Sequence, residues 1–211
     1  MVLKDIVENK KIRDVSKLER VIKFMADNIG NLTSIKKISD TTTSDGIKVL
    51  SPTIESYLKA FRNSYILYRV GRYDVKGKKI LKTLDKYYLV DVGLRYYLLG
   101  DKKADFGHIL ENIIYLELIR RGYKVYVRKV DAYSDKKVKA LEVDFVAEGL
   151  DGTEYYQVSE TVRDKNVLVR ELASLEAVSD HNSKYLLTMD FEPLVSHNGI
   201  KQINVLDWLI G

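Results

Sequence analysis

Residues 107–160 restrict the fold more than any other stretch of the chain. An apolar helix carrying Glu111 precedes a strand that reads Leu141-Glu142-Val143-Asp144-Phe145, and a second strand reads Tyr156-Gln157-Val158-Ser159. The two-residue strand period puts Leu141, Val143, Phe145 and Ala147 on one face, with Glu142 and Asp144 on the other. Two acids inside a strand are costly unless their face meets water or a cation. Gln157 and Ser159 share a face of the second strand, opposite Tyr156 and Val158. Helix acid, strand acid and strand amide are therefore expected at one edge of a sheet.

On the helix, Leu110, Ile113, Ile114 and Leu118 make an apolar stripe. His108, Glu111, Asn112 and Tyr115 stand at i, i+3, i+4 and i+7 on a second, polar face. Taken alone, Glu111 reads as a solvated glutamate; beside Asp144 it reads as a metal ligand. With the Gln157 carbonyl added, such oxygens hold Mg²⁺ next to a phosphodiester, the arrangement with which many nucleases cut DNA. Ser159 stands where cleavage wants a lysine, and a hydroxyl cannot replace the ammonium that stabilises charge building on the phosphorane. Lys124, Arg128, Arg163 and Lys165 are the cations available as substitutes, and Arg170-Glu171 reads as a structural ion pair.

Upstream, Leu18, Val21, Ile22, Met25, Ala26 and Ile29 mark a helix over Ser16 to Ile29, with Ser16 as N-cap and Gly30 as stop. A shorter helix is expected over Ser34 to Asp40, then a polar loop from Thr41 to Gly46. Ser51-Pro52 caps and opens a third helix, with Ile54, Tyr57, Leu58 and Phe61 on one face. Thr53, Glu55, Ser56, Lys59, Arg62 and Asn63 lie on the other. Strand-like runs at 65–73 and 80–90 flank a basic turn. Three helices and a basic hairpin follow the order of a winged helix-turn-helix, whose third helix enters the major groove while the hairpin touches phosphate. Lys59, Arg62, Arg72, Lys76, Lys78 and Lys79 are the candidate nucleic-acid contacts. Two cations and a glutamate on the helix suit phosphate contact better than base reading. Beyond residue 107, strands at 123–130, 139–148, 153–160 and 184–190 alternate with a helix at 163–180 and a short strand-plus-helix ending. That pattern predicts an α/β domain around a central mixed sheet.

Charge divides along the chain. Residues 1–86 hold 19 Lys and Arg against 10 Asp and Glu, a net of +9, and residues 87–211 hold 16 against 20, a net of −4. A polyanion-binding module joined to a near-neutral domain has this asymmetry. With no cysteine and three scattered histidines, disulfides, thiolate sites and a zinc centre are not expected. No apolar run is long enough to cross a membrane and the N-terminus lacks a signal-peptide core, so no membrane partner and a cytoplasmic location are expected.

Several segments together resemble the C-terminal half of a large prokaryotic family of AAA-type P-loop ATPases. They include Phe24 to Gly30 (FMADNIG), Thr53 to Leu58 (TIESYL), Arg72 to Lys78, Lys86 to Arg95, Gly107 to Asn112 (GHILEN), Glu142 to Phe145, Gln157-Val158 and Arg170-Glu171. In that family an ATPase domain precedes a winged helix and a PD-(D/E)XK, restriction-endonuclease-like domain. The resemblance implies a junction at 1–14 after an absent ATPase domain, a winged helix at 15–95 and a nuclease-like domain at 100–211. It also implies a fragment of a longer ATPase rather than a stand-alone paralogue. No Gly-x-x-x-x-Gly-Lys-Ser/Thr stretch occurs, so ATP would bind only through an upstream domain. Mapped onto the nuclease motif, Glu111 is the helix acid, Asp144 the strand acid, Gln157 the second acid and Ser159 the lysine. A module kept for binding DNA, with an inactive nuclease-like domain, is the leading expectation. A weak Mg²⁺-dependent endonuclease using Glu111 and Asp144 with Gln157, and an adaptor for a protein partner or a second copy, are the alternatives.

Overall fold

The computed structural model describes residues 6–8, 12, 14–74, 79–100, 105–134, 137–191 and 194–211. Within these, only the backbone is described at 73, 74, 79–83, 131–134 and 137–139. The chain divides into two compact units, residues 1–70 with 83–104, and residues 71–82 with 105–211.

In the first unit, α1 (Val15–Asp27), α2 (Ile35–Ser44), α3 (Ser51–Asn63) and α4 (Val92–Leu99) accompany the inner residues of β1 (Leu67–Asp74) and β2 (Lys79–Leu89). Each helix contributes an apolar stripe to one core, through Leu18, Ile22 and Met25 of α1, Ile38 of α2, and Ile54 and Phe61 of α3. The caps differ in detail from expectation. Asp14, not Ser16, caps α1, accepting the Lys17 N–H at 3.1 Å. Leu50 precedes α3, so Ser51 is its first residue and Pro52 fills a first-turn position where no N–H is needed. The expected loop at 41–46 is mostly helix. Thr42, Thr43 and Ser44 return their hydroxyls to the carbonyls of Ile38, Ser39 and Asp40, which satisfies polar side chains without leaving the helix. Helix α4 has no counterpart in the sequence expectations. It starts on Asp91, whose Oδ1 accepts the Gly93 N–H at 2.7 Å, and sends Arg95 back to the Ala26 carbonyl at 3.2 Å. Thr33, just before α2, forms an isolated antiparallel bridge with Asp85 of β2.

Three helix ends share one geometry. At α2, Ile47 N–H reaches the Thr42 carbonyl at 2.9 Å and Gly46 N–H the Thr43 carbonyl at 3.0 Å, with Gly46 at φ +84°. At α5 (Phe106–Arg120), the pairs are Tyr123 to Leu118 and Gly122 to Ile119, with Gly122 at φ +87°. At α3 they are Ile66 to Phe61 at 2.9 Å and Tyr65 to Arg62 at 3.2 Å. This is the Schellman closure, whose left-handed position favours glycine. At α3 the left-handed residue is Tyr65, at φ +52°.

The fold is mixed α/β, with a large mixed sheet of eight strands in the order β2-β1-β3-β4-β5-β6-β8-β7. In the second unit β3 (Lys124–Ser134), β4 (Lys137–Gly149) and β5 (Gly152–Ser159) form an antiparallel meander. Parallel pairing then joins β5 to β6 (Ser183–Thr188) and β6 to β8 (Ile200–Asn204), while β7 (Val195–His197) closes the edge antiparallel to β8. On the other side β1 runs parallel to β3, with Arg72 opposite Val127. Helix α6 (Lys165–Glu176) covers one face, packing Leu172 and Leu175 against Val143, Val146, Tyr155 and Leu186. The opposite face carries α5, where Tyr115 lies against Phe145 with ring centroids 6.1 Å apart. It also carries α7 (Val205–Ile210), where Trp208 meets Tyr156 edge-on at 5.7 Å.

Candidate functional site

The strand bearing Asp144 does not keep its two-residue period. Tyr126 pairs with Val146, but Arg128 pairs with Val143, so Asp144 and Phe145 together oppose Val127 alone. This β-bulge turns the strand by one position. Val143 and Val146 both face α6, and Phe145 faces α5. The expected common face for Leu141, Val143, Phe145 and Ala147 is thereby corrected, because one extra residue on β4 reverses the alternation beyond it.

The bulge sits where β4 and β5 part. Their ladder has its last pair at Phe145 and Tyr156, and side chains continue it. Gln157 Oε1 accepts the Asp144 backbone N–H at 3.3 Å, and Asp144 Oδ2 accepts the Val158 N–H at 3.0 Å. Gln157 Oε1 also accepts from Ser174 Oγ at 3.0 Å, while its Nε2 donates to Glu171 Oε2 at 2.9 Å. Glu171 Oε1 takes Arg170 through Nε at 3.0 Å and a terminal nitrogen at 2.6 Å. Asp144, Gln157, Glu171 and Ser174 are all buried. The result is a buried polar network running from β4 through β5 to α6 and reaching an exposed guanidinium.

Two lone pairs on Gln157 Oε1 already serve two donors, which leaves that oxygen none for a metal in this arrangement. Ser159 Oγ donates to the Thr161 carbonyl at 3.1 Å. Of the substitute cations, Arg128 is held by Tyr155 Oη at 2.8 Å and Asp180 at 3.5 Å, and Arg163 lies 3.4 Å from Asp190. Lys165 is exposed at the start of α6, and Lys124 opens β3 opposite Glu148.

Glu111 is buried, at 7% exposure, so the solvated reading is overturned. Burial on α5 reaches Ile109, Leu110, Glu111, Asn112, Ile114, Tyr115 and Leu118, more than one face of the helix. His108 Nδ1 stands 3.7 Å from Glu111 and its Nε2 3.6 Å from Asp105. Helix α5 packs on the sheet face opposite α6, the helix that the Gln157 side chain meets. Among the described residues no group of three or more His, Cys, Asp or Glu side chains is placed to hold a metal ion. Sequence reasoning missed Ser174, and it took Glu171 only as an ion-pair partner. The signal was their i, i+3 spacing, which puts both on the α6 face that meets Gln157.

Other ionisable clusters are structural in geometry. Asp190, buried, accepts from Thr161 Oγ1 at 2.7 Å and Val162 N at 2.8 Å, pinning the exit of β5 to that of β6. Tyr155 donates to Asp180 at 2.6 Å; burial first, then that bond, push its phenol up to about 12. Glu154 accepts from Tyr156 at 2.7 Å. Its hydrogen bond, with burial, also pushes Tyr123 up to about 12.

In the first unit, α3 buries Ile54, Tyr57, Leu58, Ala60 and Phe61 and exposes Glu55, Ser56, Lys59, Arg62 and Asn63. Arg72, in the second unit, is half-buried and paired in the β1–β3 ladder. Lys76 and Lys78 lie outside the described residues, and Lys79 is described only as the backbone start of β2.

Residues 1–105 match a domain of unknown function (DUF8612). The chain is 37% identical over 210 residues to an uncharacterized protein of Haemophilus influenzae, a match covering 100% of this chain and 50% of that protein. It is 28% identical over 208 residues to an uncharacterized protein of Methanocaldococcus jannaschii, covering 97% of this chain and 44% of the relative. The chain thus spans about half the length of the curated relatives it matches. No solved structure matches it. No helix among the described residues is long and apolar enough to cross a membrane.

Proposed function

We propose that this chain is a DNA-binding module, a winged helix joined to a restriction-endonuclease-like domain that no longer cuts, within a longer AAA-type ATPase. The observation that carries it is the outward face of α3, where Lys59, Arg62 and Asn63 are exposed on a third helix that precedes a hairpin. The net charge of +9 over residues 1–86, the stretch that holds α3, favours a polyanion there. Glu55 on the same face argues for phosphate contact with little sequence preference. The Thr33 bridge to β2 fits the short strand a winged helix places before its second helix.

Loss of cutting is supported by the network around Gln157. A metal site there would need an oxygen that already serves two donors, and no lysine occupies position 159. The relatives hold about as many residues again outside the match as within it, which is room for a P-loop domain.

The test is DNA binding by the full chain across a salt series. Affinity should fall steeply with salt, and Lys59→Ala and Arg62→Ala should each flatten the log–log slope by about 1. Binding that ignores salt, or is absent, rejects the proposal. A Mg²⁺-dependent endonuclease is the second reading, favoured by the burial of both Glu111 and Asp144. Nicking of supercoiled DNA with Mg²⁺ or Mn²⁺ that disappears in Asp144→Asn would establish it.

A further inference from the structure

We propose that Tyr65 is a stacking platform for an unpaired base, so that the first unit grips nucleic acid where a strand is single or frayed. The inference rests on the nucleic-acid reading above and names the substrate class within it.

The chain closes α2, α3 and α5 with the same pair of backbone hydrogen bonds, and it puts glycine at the left-handed position in two of them. Only at α3 does a large side chain occupy that position, against the steric preference of an L-residue. Among the described residues the other non-glycine residue with positive φ is Asn198, which precedes Gly199 in the β7–β8 turn, where asparagine is the expected choice. Tyr65 is therefore the one described residue whose side chain contradicts its backbone.

Packing does not return that strain. The Tyr65 ring is 77% exposed, while its neighbours Phe61 and Ile66 carry the core contact of the closure. A residue that breaks a local rule without an internal gain is expected at a binding surface. The Tyr65 N–H is bonded to the Arg62 carbonyl, so the ring emerges where the cationic face of α3 ends. Lys59, Arg62 and Asn63 are exposed beside it. An aromatic face for a base next to cations for the adjoining phosphates is the equipment of single-strand binders. An aromatic edge on a protein partner would not call for the cations.

Fluorescence anisotropy on the full chain tests this, using labelled oligothymidine, a blunt duplex and a duplex with a single-stranded tail. Wild type should prefer the tailed duplex to the blunt one. Tyr65→Gly should weaken oligothymidine and tail binding about 10- to 100-fold, keep blunt-duplex affinity and its salt slope, and melt no lower than wild type. Tyr65→Trp should retain the single-strand affinity, because stacking needs only the ring. Equal affinity of wild type and Tyr65→Gly for oligothymidine overturns the inference while leaving the duplex reading intact. Equal losses on single strand and duplex also overturn it. No binding to any of the three overturns both readings.

Discussion

Gln157 and Asp144 bond to each other across the point where β4 and β5 stop pairing. Gln157 lends its amide oxygen to the Asp144 N–H, and Asp144 lends its carboxylate to the Val158 N–H. Each replaces a missing ladder bond, so two residues that the sequence offers as metal ligands act as structural pins.

Gln157→Glu should expose this dependence. The new carboxylate keeps the shape but loses the donor to Glu171 and faces that carboxylate within hydrogen-bond distance. Unfolding in urea at pH 8 should show a loss of about 2–4 kcal/mol. The deficit should shrink towards pH 5, because the crowded pair holds a proton more tightly folded than unfolded. A pH-independent loss would mean the two acids do not meet.

Asp144→Ala should cost about 1–3 kcal/mol by leaving the Val158 N–H without its acceptor, and Asp144→Asn should cost less because it keeps an oxygen there. Hydrogen exchange at Val158 should accelerate in the alanine variant. Unchanged exchange would show that the bond is not formed in solution.

Glu117 gives an acid-side prediction. Arg120, and with it Arg121, grip its carboxylate at 2.6 Å and hold it down to about 2, against burial that pulls the other way. A lowered carboxyl stabilises the fold above its unfolded value of 4.5 and loses that contribution as pH falls through about 2. Glu117→Gln should cost about 1–2 kcal/mol at pH 7, a modest figure because Arg120 is largely exposed. The gap to wild type should close near pH 2.

Alkaline titration followed at 295 nm tests the tyrosine clusters. Tyr123 and Tyr155, at about 12, should ionise late, and Tyr156 later still, since burial and Glu154 both favour its neutral phenol. Raised phenols stabilise the fold below about pH 10, and that contribution is lost as pH rises through their folded values. Glu154→Gln should bring Tyr123 back towards 10. No change would remove Glu154 as the cause.

Local elements were largely legible before the structure. Ile54, Tyr57, Leu58 and Phe61 marked the buried stripe of α3, and the strands expected at 123–130 and 153–160 overlap β3 and β5, each overrunning by one residue at one end. Helix α4 escaped notice because Val92 to Leu99 is too short to show a period, and α2 ran on because its threonines bond their own backbone. In the candidate site, Gln157 Oε1 accepts the Asp144 N–H, but the chemistry of the pair was not legible. Ser174 and the second oxygen of Glu171 arrive from α6, and no spacing within β4 or β5 reveals which bonds they will take.

What the sequence determined by itself is what short-range physics sets: which stripes are apolar, where glycines end helices, where charge gathers, and which acids lie in strands. Tertiary structure decided the rest. The bulge at Asp144 depends on two residues opposing Val127, a relation between strands. The burial of Glu111 depends on α5 packing against the sheet. Whether an amide oxygen is a ligand or a strut depends on who else is within 3 Å of it, and at Gln157 a hydroxyl from α6, far along the chain, made that choice.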